Sequence, residues 1–172
     1  STKADYWIPI RPQTDAALWL GVTKLMIDQK WYDEAFVKQF TDMPLLVRAD
    51  NLKRLRADEV FANYASPMSK TGASYKVQGL TEEQHKKLGD RVVWDAKTNK
   101  PAAICRDDVG KRIAERGIDP ALSGTWKIKL VDGQAVEGHT LWSLYQVHLK
   151  DYDVDSVAEI THCPKDAIER LA

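Results

Sequence analysis

Ala4-Asp5-Tyr6-Trp7-Ile8-Pro9-Ile10-Arg11-Pro12-Gln13-Thr14-Asp15 runs without a break into Ala16-Ala17-Leu18, and the passage from extended chain to helix in this stretch decides how the rest is read. Tyr6, Trp7, Ile8 and Ile10 are strand-forming residues, whereas Pro9 and Pro12 each remove a backbone donor. The stretch therefore reads as an edge or terminal extension and not as a central strand. Thr14 or Asp15 then caps a helix. Leu18, Val22, Leu25, Met26 and Gln29 recur at helical spacing, which predicts a helix from Thr14 to Lys30 with one apolar stripe on a core. A helix N-terminus presents free N–H groups and partial positive charge, so the Gln13-Thr14-Asp15 corner is a natural holder of a polar or anionic ligand.

Outward from that helix the chain alternates between helical and strand patterns with no internal repeat. A short helix is expected from Asp33 to Phe40. Leu45-Leu46-Val47 reads as a loop or as a buried strand that Pro44 places at an edge. Asp50 to Val60 is charged, with Leu52 and Leu55 on one side, and predicts a solvated helix. Phe61 to Gly79 lacks periodicity and reads as a loop. Leu80 to Gly89 resumes as a helix, with Thr81 as cap and Gly89 as stop. Arg91 to Asp95 and Pro101 to Cys105 flank Lys97-Thr98-Asn99-Lys100 as a β-hairpin. A second hairpin joins Trp126 to Leu130 with Ala135 to Gly138 through Asp132-Gly133. Between them Asp107 to Arg116 is expected as a helix closed by Gly117, and the tail as helices at Thr140 to Lys150 and from Pro164 onward.

Composition restricts the function classes. The 172 residues carry 25 basic and 25 acidic side chains, enough chain for one domain and no net charge to draw it to nucleic acid or an anionic membrane. No run approaches a transmembrane helix. The six tryptophans are scattered without an interleaved basic stripe, so a single-strand binding platform is excluded and they read as core or interface anchors. Cys105 and Cys163 are isolated, and two thiols cannot supply the four ligands of an iron–sulfur cluster. His162-Cys163 reads as a loop pair ahead of a helix, Asp107-Asp108 as a helix cap and first-turn acid, and His139 and His148 as surface histidines whose spacing is not metal-like. No catalytic or metal-ligating residue is assigned.

Three stretches in fixed order carry a family resemblance: Ala4 to Leu18, then Tyr32-Asp33-Glu34-Ala35-Phe36-Val37, then Thr41-Asp42-Met43-Pro44-Leu45-Leu46-Val47-Arg48. His139-Thr140-Leu141-Trp142, Tyr152 to Thr161 and Ile168-Glu169-Arg170-Leu171-Ala172 add weaker support. Together they resemble the molybdenum and tungsten bis-pterin oxidoreductases of the dimethyl sulfoxide reductase family. Leu45-Leu46-Val47-Arg48 is similar to the catalytic alpha subunits of the branch with nitrate reductases, nitrite oxidoreductases and perchlorate reductases.

The resemblance implies a partial Rossmann-like layered α/β domain carrying an inserted, hairpin-containing α+β region. Its parts would be a cofactor-proximal helix-rich part over 1–60, the insertion over 61–138 and a C-terminal helical pair over 139–172. In that family the corner matching Gln13, Thr14 and Asp15 contacts the guanine end of a molybdopterin guanine dinucleotide. A carboxylate such as Asp15 can accept from guanine N1–H and N2–H together. Gln13 departs from the family pattern, where Gly is usual, and a positive backbone dihedral there would strain Gln by about 1 kcal/mol.

The implied parent is a much longer subunit, so the chain, which starts at Ser1 and shows no signal peptide, is expected to be an excised fragment, inactive alone and retaining neither molybdenum (or tungsten) nor pterin. Its implied partners are the remainder of the catalytic subunit, an iron–sulfur subunit for electron transfer, and a small-anion substrate, with no nucleic acid and no direct membrane insertion. The implied setting is periplasmic or membrane-associated. The alternative is a stand-alone α/β binding or interaction module without catalysis.

Overall fold

A computed structural model describes residue 4 and residues 6–65, 89–105 and 108–172. In chain order the elements are helices α1 (Asp15–Asp28) and α2 (Glu34–Phe40), strand β1 (Leu46–Arg48), the single helical turn α3 (Ala57–Val60), strands β2 (Arg91–Asp95) and β3 (Lys100–Ile104) and helix α4 (Lys111–Glu115). Strands β4 (Thr125–Lys129) and β5 (Ala135–Thr140), helix α5 (Leu141–His148), a 3-10 turn (Leu149–Asp151) and helices α6 (Val154–Thr161) and α7 (Lys165–Leu171) complete it. The chain divides into two compact units, Ser1–Asp33 with Tyr145–Ala172, and Glu34–Leu144.

The first unit is built from the two ends of the chain. Leu18 and Val22 of α1 pack with Val157 of α6, Cys163, and Ala167 and Ile168 of α7, all buried. Leu18 and Val22 are the i, i+4 positions of the stripe read from the sequence. Ile8 and Ile10 pack against the same core, whereas Trp7 beside them is 69% exposed, so the opening segment runs extended with alternate side chains inward. α1 and α6 approach closely because Gly21 faces Val157: a Cβ at Gly21 would lie 2.7 Å from a Val157 methyl. Gly21→Val overpacks this crossing and is expected to cost about 1–3 kcal/mol, read as a fall in the urea midpoint at unchanged m-value.

The second unit holds a three-stranded antiparallel sheet in the order β1-β5-β4 and the hairpin β2-β3. In the sheet Leu46 lies opposite Thr140, and Ile128 opposite Val136; in the hairpin Val93 lies opposite Ala102. Leu46, Leu55, Ala57, Val92, Ile128, Leu130 and Val136 form one core. Trp94 and Trp126 stack at 4.9 Å against it. Both hairpins form where alternation and turn residues place them, with Asn99 at φ 53° and Gly133 at φ 87° supplying the left-handed turn positions.

The fold is mixed α/β with small antiparallel sheets; every strand pair among the described residues is antiparallel, so the parallel layering expected of a Rossmann-like domain is not among them. The solvated helix expected over Asp50 to Val60 is replaced by extended chain. Leu52 turns at φ 55°, the Leu55 amide donates to Leu46 O at 2.8 Å, and Arg56 bridges Arg91. Leu55 and Ala57 are completely buried; burying Leu55 beside β1 outweighs the helix propensity of its charged neighbours. Only α3 is helical, with the Glu59 carboxylate accepting from the Arg56 amide at 2.8 Å.

Asp108 likewise departs from the expected helix start, where Asp107-Asp108 read as cap and first-turn acid. α4 begins at Lys111, and Asp108, buried, accepts from the Cys105 amide at 2.8 Å and from the Arg116 guanidinium. Asp107, most of the loop from Phe61 to Gly79 and nearly all of the Leu80 to Gly89 helix lie outside the described residues.

Asp95, 3% exposed, ties the first hairpin together. Its carboxylate accepts from the Lys97 amide at 3.2 Å, the Thr98 hydroxyl at 2.6 Å and the Asp119 amide at 2.9 Å. Burial pushes this carboxyl up, but the bonds from Thr98, Asp119 and Lys97 outweigh it and hold it below the ordinary range. A folded-state value below the unfolded one gives stability that is present above the unfolded value, about 3.9, and is lost as pH falls through the depressed folded value. Asp95→Asn is expected to cost about 1–3 kcal/mol at pH 7 and to flatten the stability profile below pH ~4, measured by denaturation at a series of pH values.

Candidate functional site

The corner singled out in the sequence, Gln13-Thr14-Asp15, sits where the opening segment enters α1. The Thr14 amide donates to Arg11 O at 3.3 Å and its hydroxyl donates to the same oxygen at 2.6 Å. Pro12 occupies the second position of this turn and Gln13 the third, at φ 69°. Proline followed by a positive φ is the signature of a type II turn, whose third position favours glycine. The strain expected from Gln in place of Gly is therefore present. Gln13→Gly is expected to stabilise the chain by a few tenths to about 1 kcal/mol, read by thermal unfolding; a loss of stability would show that the Gln13 side chain supplies contacts that outweigh the strain.

Thr14 occupies the N-cap position, yet its side chain does not cap: the hydroxyl is turned back to donate to Arg11 O and accepts from no first-turn amide. The first-turn amides of α1 are left without a side-chain acceptor from Thr14. Asp15 is the first helical residue and is exposed, and its carboxylate makes no hydrogen bond or ion pair among the described residues. The corner thus presents an exposed carboxylate acceptor beside amide donors that the Thr14 side chain does not cap. This arrangement accepts a ligand with paired N–H donors and a nearby acceptor, the pattern of a guanine edge.

The corner is fixed from behind. The Arg11 amide donates to Thr161 O at 2.7 Å, so the last carbonyl of α6, which the helix itself cannot satisfy, holds the turn. Tyr6 lies under the Arg170 guanidinium, 4.6 Å from the ring centre.

The other residues weighed in the sequence fall into structural roles. Cys163 is 2% exposed, and its amide donates to the Thr161 hydroxyl oxygen at 3.1 Å. Burial, and then the Asp166 carboxylate, push its thiol above the ordinary value, the reverse of an activated nucleophile. His139 lies in β5 between Glu137 at 3.1 Å and Thr125 at 2.8 Å, and His148 is exposed at the end of α5 beside Tyr152. No group of His, Cys, Asp and Glu able to hold a metal ion occurs among the described residues.

One feature has no counterpart in the sequence reading, a concavity of about 480 Å³ within the Glu34–Leu144 unit, lined by α2, the chain around β1 and the ends of the β2-β3 hairpin. Its walls come from residues far apart in sequence, so no local motif announces it. Arg54 and Arg91 both stand on its wall, brought to the same region by the bridge between Arg56 and Arg91.

No family model matches the chain. Curated relatives do, along nearly its whole length. It is 30% identical over 176 residues to the alpha subunit of perchlorate reductase from Dechloromonas aromatica (strain RCB), covering 99% of this chain and 18% of that protein. It is 32% identical over 176 residues to the alpha subunit of respiratory nitrate reductase from Haloferax mediterranei, covering 98% of the chain and 16% of the relative. It is 45% identical over 170 residues to a protein of Halobacterium salinarum named as the putative catalytic subunit of dimethyl sulfoxide reductase, covering 99% and 16%. The chain spans less than a fifth of the length of these relatives. Its homologues are thus alpha or catalytic subunits of oxidoreductases.

Proposed function

We propose that the chain is a segment of the catalytic subunit of a molybdenum oxidoreductase of the dimethyl sulfoxide reductase family, and that its Arg11 to Asp15 turn holds the guanine end of a molybdopterin guanine dinucleotide. Two lines support the reading: alignment to the alpha subunits of perchlorate and nitrate reductases over almost every residue, and the exposed Asp15 carboxylate at the start of α1, which has no partner among the described residues. The second carries it.

The corner fits such a group by the chemistry of its donors and acceptors. Asp15 accepts from two guanine N–H donors at once, and the first-turn amides of α1 offer donors to a guanine or phosphate oxygen. The type II turn sets where these groups point, and the Arg11 to Thr161 bond keeps the turn from moving with its ligand. When bound, the metal and its pterins supply the oxygen-atom and electron-pair chemistry, and this segment supplies binding and orientation. The carboxylate also discriminates: a base that offers a lone acceptor in place of the guanine N1–H leaves Asp15 facing a lone pair.

The substrate in this reading is a small oxyanion of the nitrate type, the class named in two of the relatives, reached through residues of the parent subunit beyond this segment. An iron–sulfur electron-transfer subunit is the proposed redox partner, in a periplasmic or membrane-associated complex; no described helix is long and apolar enough to cross a membrane. The segment by itself is inactive in this account.

Asp15→Ala in the complete protein is expected to lower its molybdenum and pterin content several-fold, quantified by metal analysis and by fluorescence of the oxidised pterin, with the thermal stability of the cofactor-free protein unchanged. Full cofactor content in the Asp15→Ala protein would sink the assignment of the corner. Absence of molybdenum, tungsten and pterin from the complete wild-type protein would sink the family reading itself.

A further inference from the structure

The concavity in the Glu34–Leu144 unit holds a charge that no described group balances. Arg54 and Arg56 are two residues apart on the extended chain that follows β1, and Arg56 lies opposite Arg91 across an antiparallel bridge. Like charges placed directly opposite on paired strands repel. Two of the three guanidiniums have local carboxylates: Arg54 bonds Asp42 at 2.7 Å, and Arg56 bonds Asp58 at 2.9 Å. The Arg91 guanidinium, partly buried and on the wall of the cavity, makes no hydrogen bond or ion pair among the described residues. Burial, then Arg54 and Arg56, push its pKa down, and the Asp42 and Glu59 carboxylates do not make up the difference.

The acidic groups on the cavity wall are committed elsewhere. Asp42 is taken by Arg54, Asp108 by Arg116, and the Asp90 carboxylate accepts from the Tyr64 phenol at 2.6 Å. Lys38 is held by Glu34 at 3.2 Å and Asp119 at 3.5 Å. Phe40, Ile104 and Val109 supply the accessible apolar wall. A volume of about 480 Å³, an apolar wall and a cation with no described carboxylate bonded to it is the usual make-up of a small-molecule site. A guanidinium offers two parallel N–H donors, which match a planar oxyanion.

We propose that this cavity binds a small organic anion, its carboxylate paired with the Arg91 guanidinium and its apolar body lying against Phe40, Ile104 and Val109. The inference rests on the second unit alone and stands apart from the cofactor reading of the first. An anion here supplies the counter-charge that Arg91 lacks, so its binding gains from relief of the repulsion by Arg54 and Arg56 as well as from its own contacts.

The test uses benzoate as probe and benzamide as its uncharged counterpart, titrated calorimetrically into the complete protein and its Arg91→Gln and Arg91→Lys variants. Benzoate is expected to bind wild type, at least tenfold more weakly to Arg91→Gln and in between to Arg91→Lys, while benzamide binds wild type and Arg91→Gln alike. Without ligand, Arg91→Gln is expected to melt at or above the wild-type temperature, since it removes a repelled cation. Equal benzoate affinity in wild type and Arg91→Gln, no benzoate binding to wild type, or an Arg91→Gln protein that melts well below wild type, meaning that the guanidinium already has a structural partner, would each overturn the proposal.

Discussion

The first unit is organised by a single backbone contact, the Arg11 amide donating to Thr161 O at 2.7 Å. Thr161 is the last residue of α6, and the chain leaves it through His162 at φ 57°, so its carbonyl has no partner within the helix. The Thr161 side chain is buried and doubly used: its hydroxyl donates to Val157 O at 2.7 Å and accepts from the Cys163 amide at 3.1 Å. Val157 and Cys163 belong to the core that α1 closes. The Arg11 peptide thus carries core geometry outward. Its N–H is fixed to α6, and the Arg11 C=O, accepting twice from Thr14, shapes the turn that enters α1.

The same logic separates the carboxylates. Asp95 accepts from three donors and Asp108 from two, each bond closing a local loop. Asp153 accepts from the Ser156 amide at 2.8 Å and caps α6. These side chains are used up by structure. Asp15 begins a helix as Asp153 does, but one position later, at the first helical residue and not at the cap, and the Thr14 hydroxyl that could have capped α1 is turned back onto Arg11. A helix start that leaves both its amides and its acid unspent gives up about 1 kcal/mol of capping energy, and Gln13 at positive φ adds strain of similar size. Under the proposed reading these two local costs at one exposed turn are what ligand binding imposes on the fold.

The sequence made legible those elements whose signals are local. Both hairpins follow from alternation around Asn99 and Asp132-Gly133, and α1 from the spacing of Leu18 and Val22. The edge position of β1 followed from Pro44. Where the reading failed, the deciding partner was distant in sequence. Leu55 leaves the helical pattern because Leu46 and Ile128 share its core; Asp108 lies outside the helix it was expected to start, its carboxylate held by the Arg116 guanidinium and the Cys105 amide. Gly21 carried no signal, since its role appears only once Val157 is set against it. The candidate corner was visible because turn, cap and acid are contiguous, whereas the Arg91 cavity needed a cross-chain bridge to be seen at all.

The tryptophans extend the argument from the corner to its surroundings. Trp142 is buried, and Trp94 and Trp126 cover the second core as a stacked pair, so these three are spent on folding. Trp7, Trp19 and Trp31, all in the first unit, are 69%, 57% and 55% exposed. An indole left in water forgoes about 1.5–3 kcal/mol of burial, and three of them in the unit that carries the Asp15 corner are hard to reconcile with a surface designed only for solvent. Under the proposed reading the remainder of a catalytic subunit several times longer supplies the cover. Under that reading the exposed indoles and the helix start that no described group caps have one cause, since other parts of the protein and the ligand complete this unit.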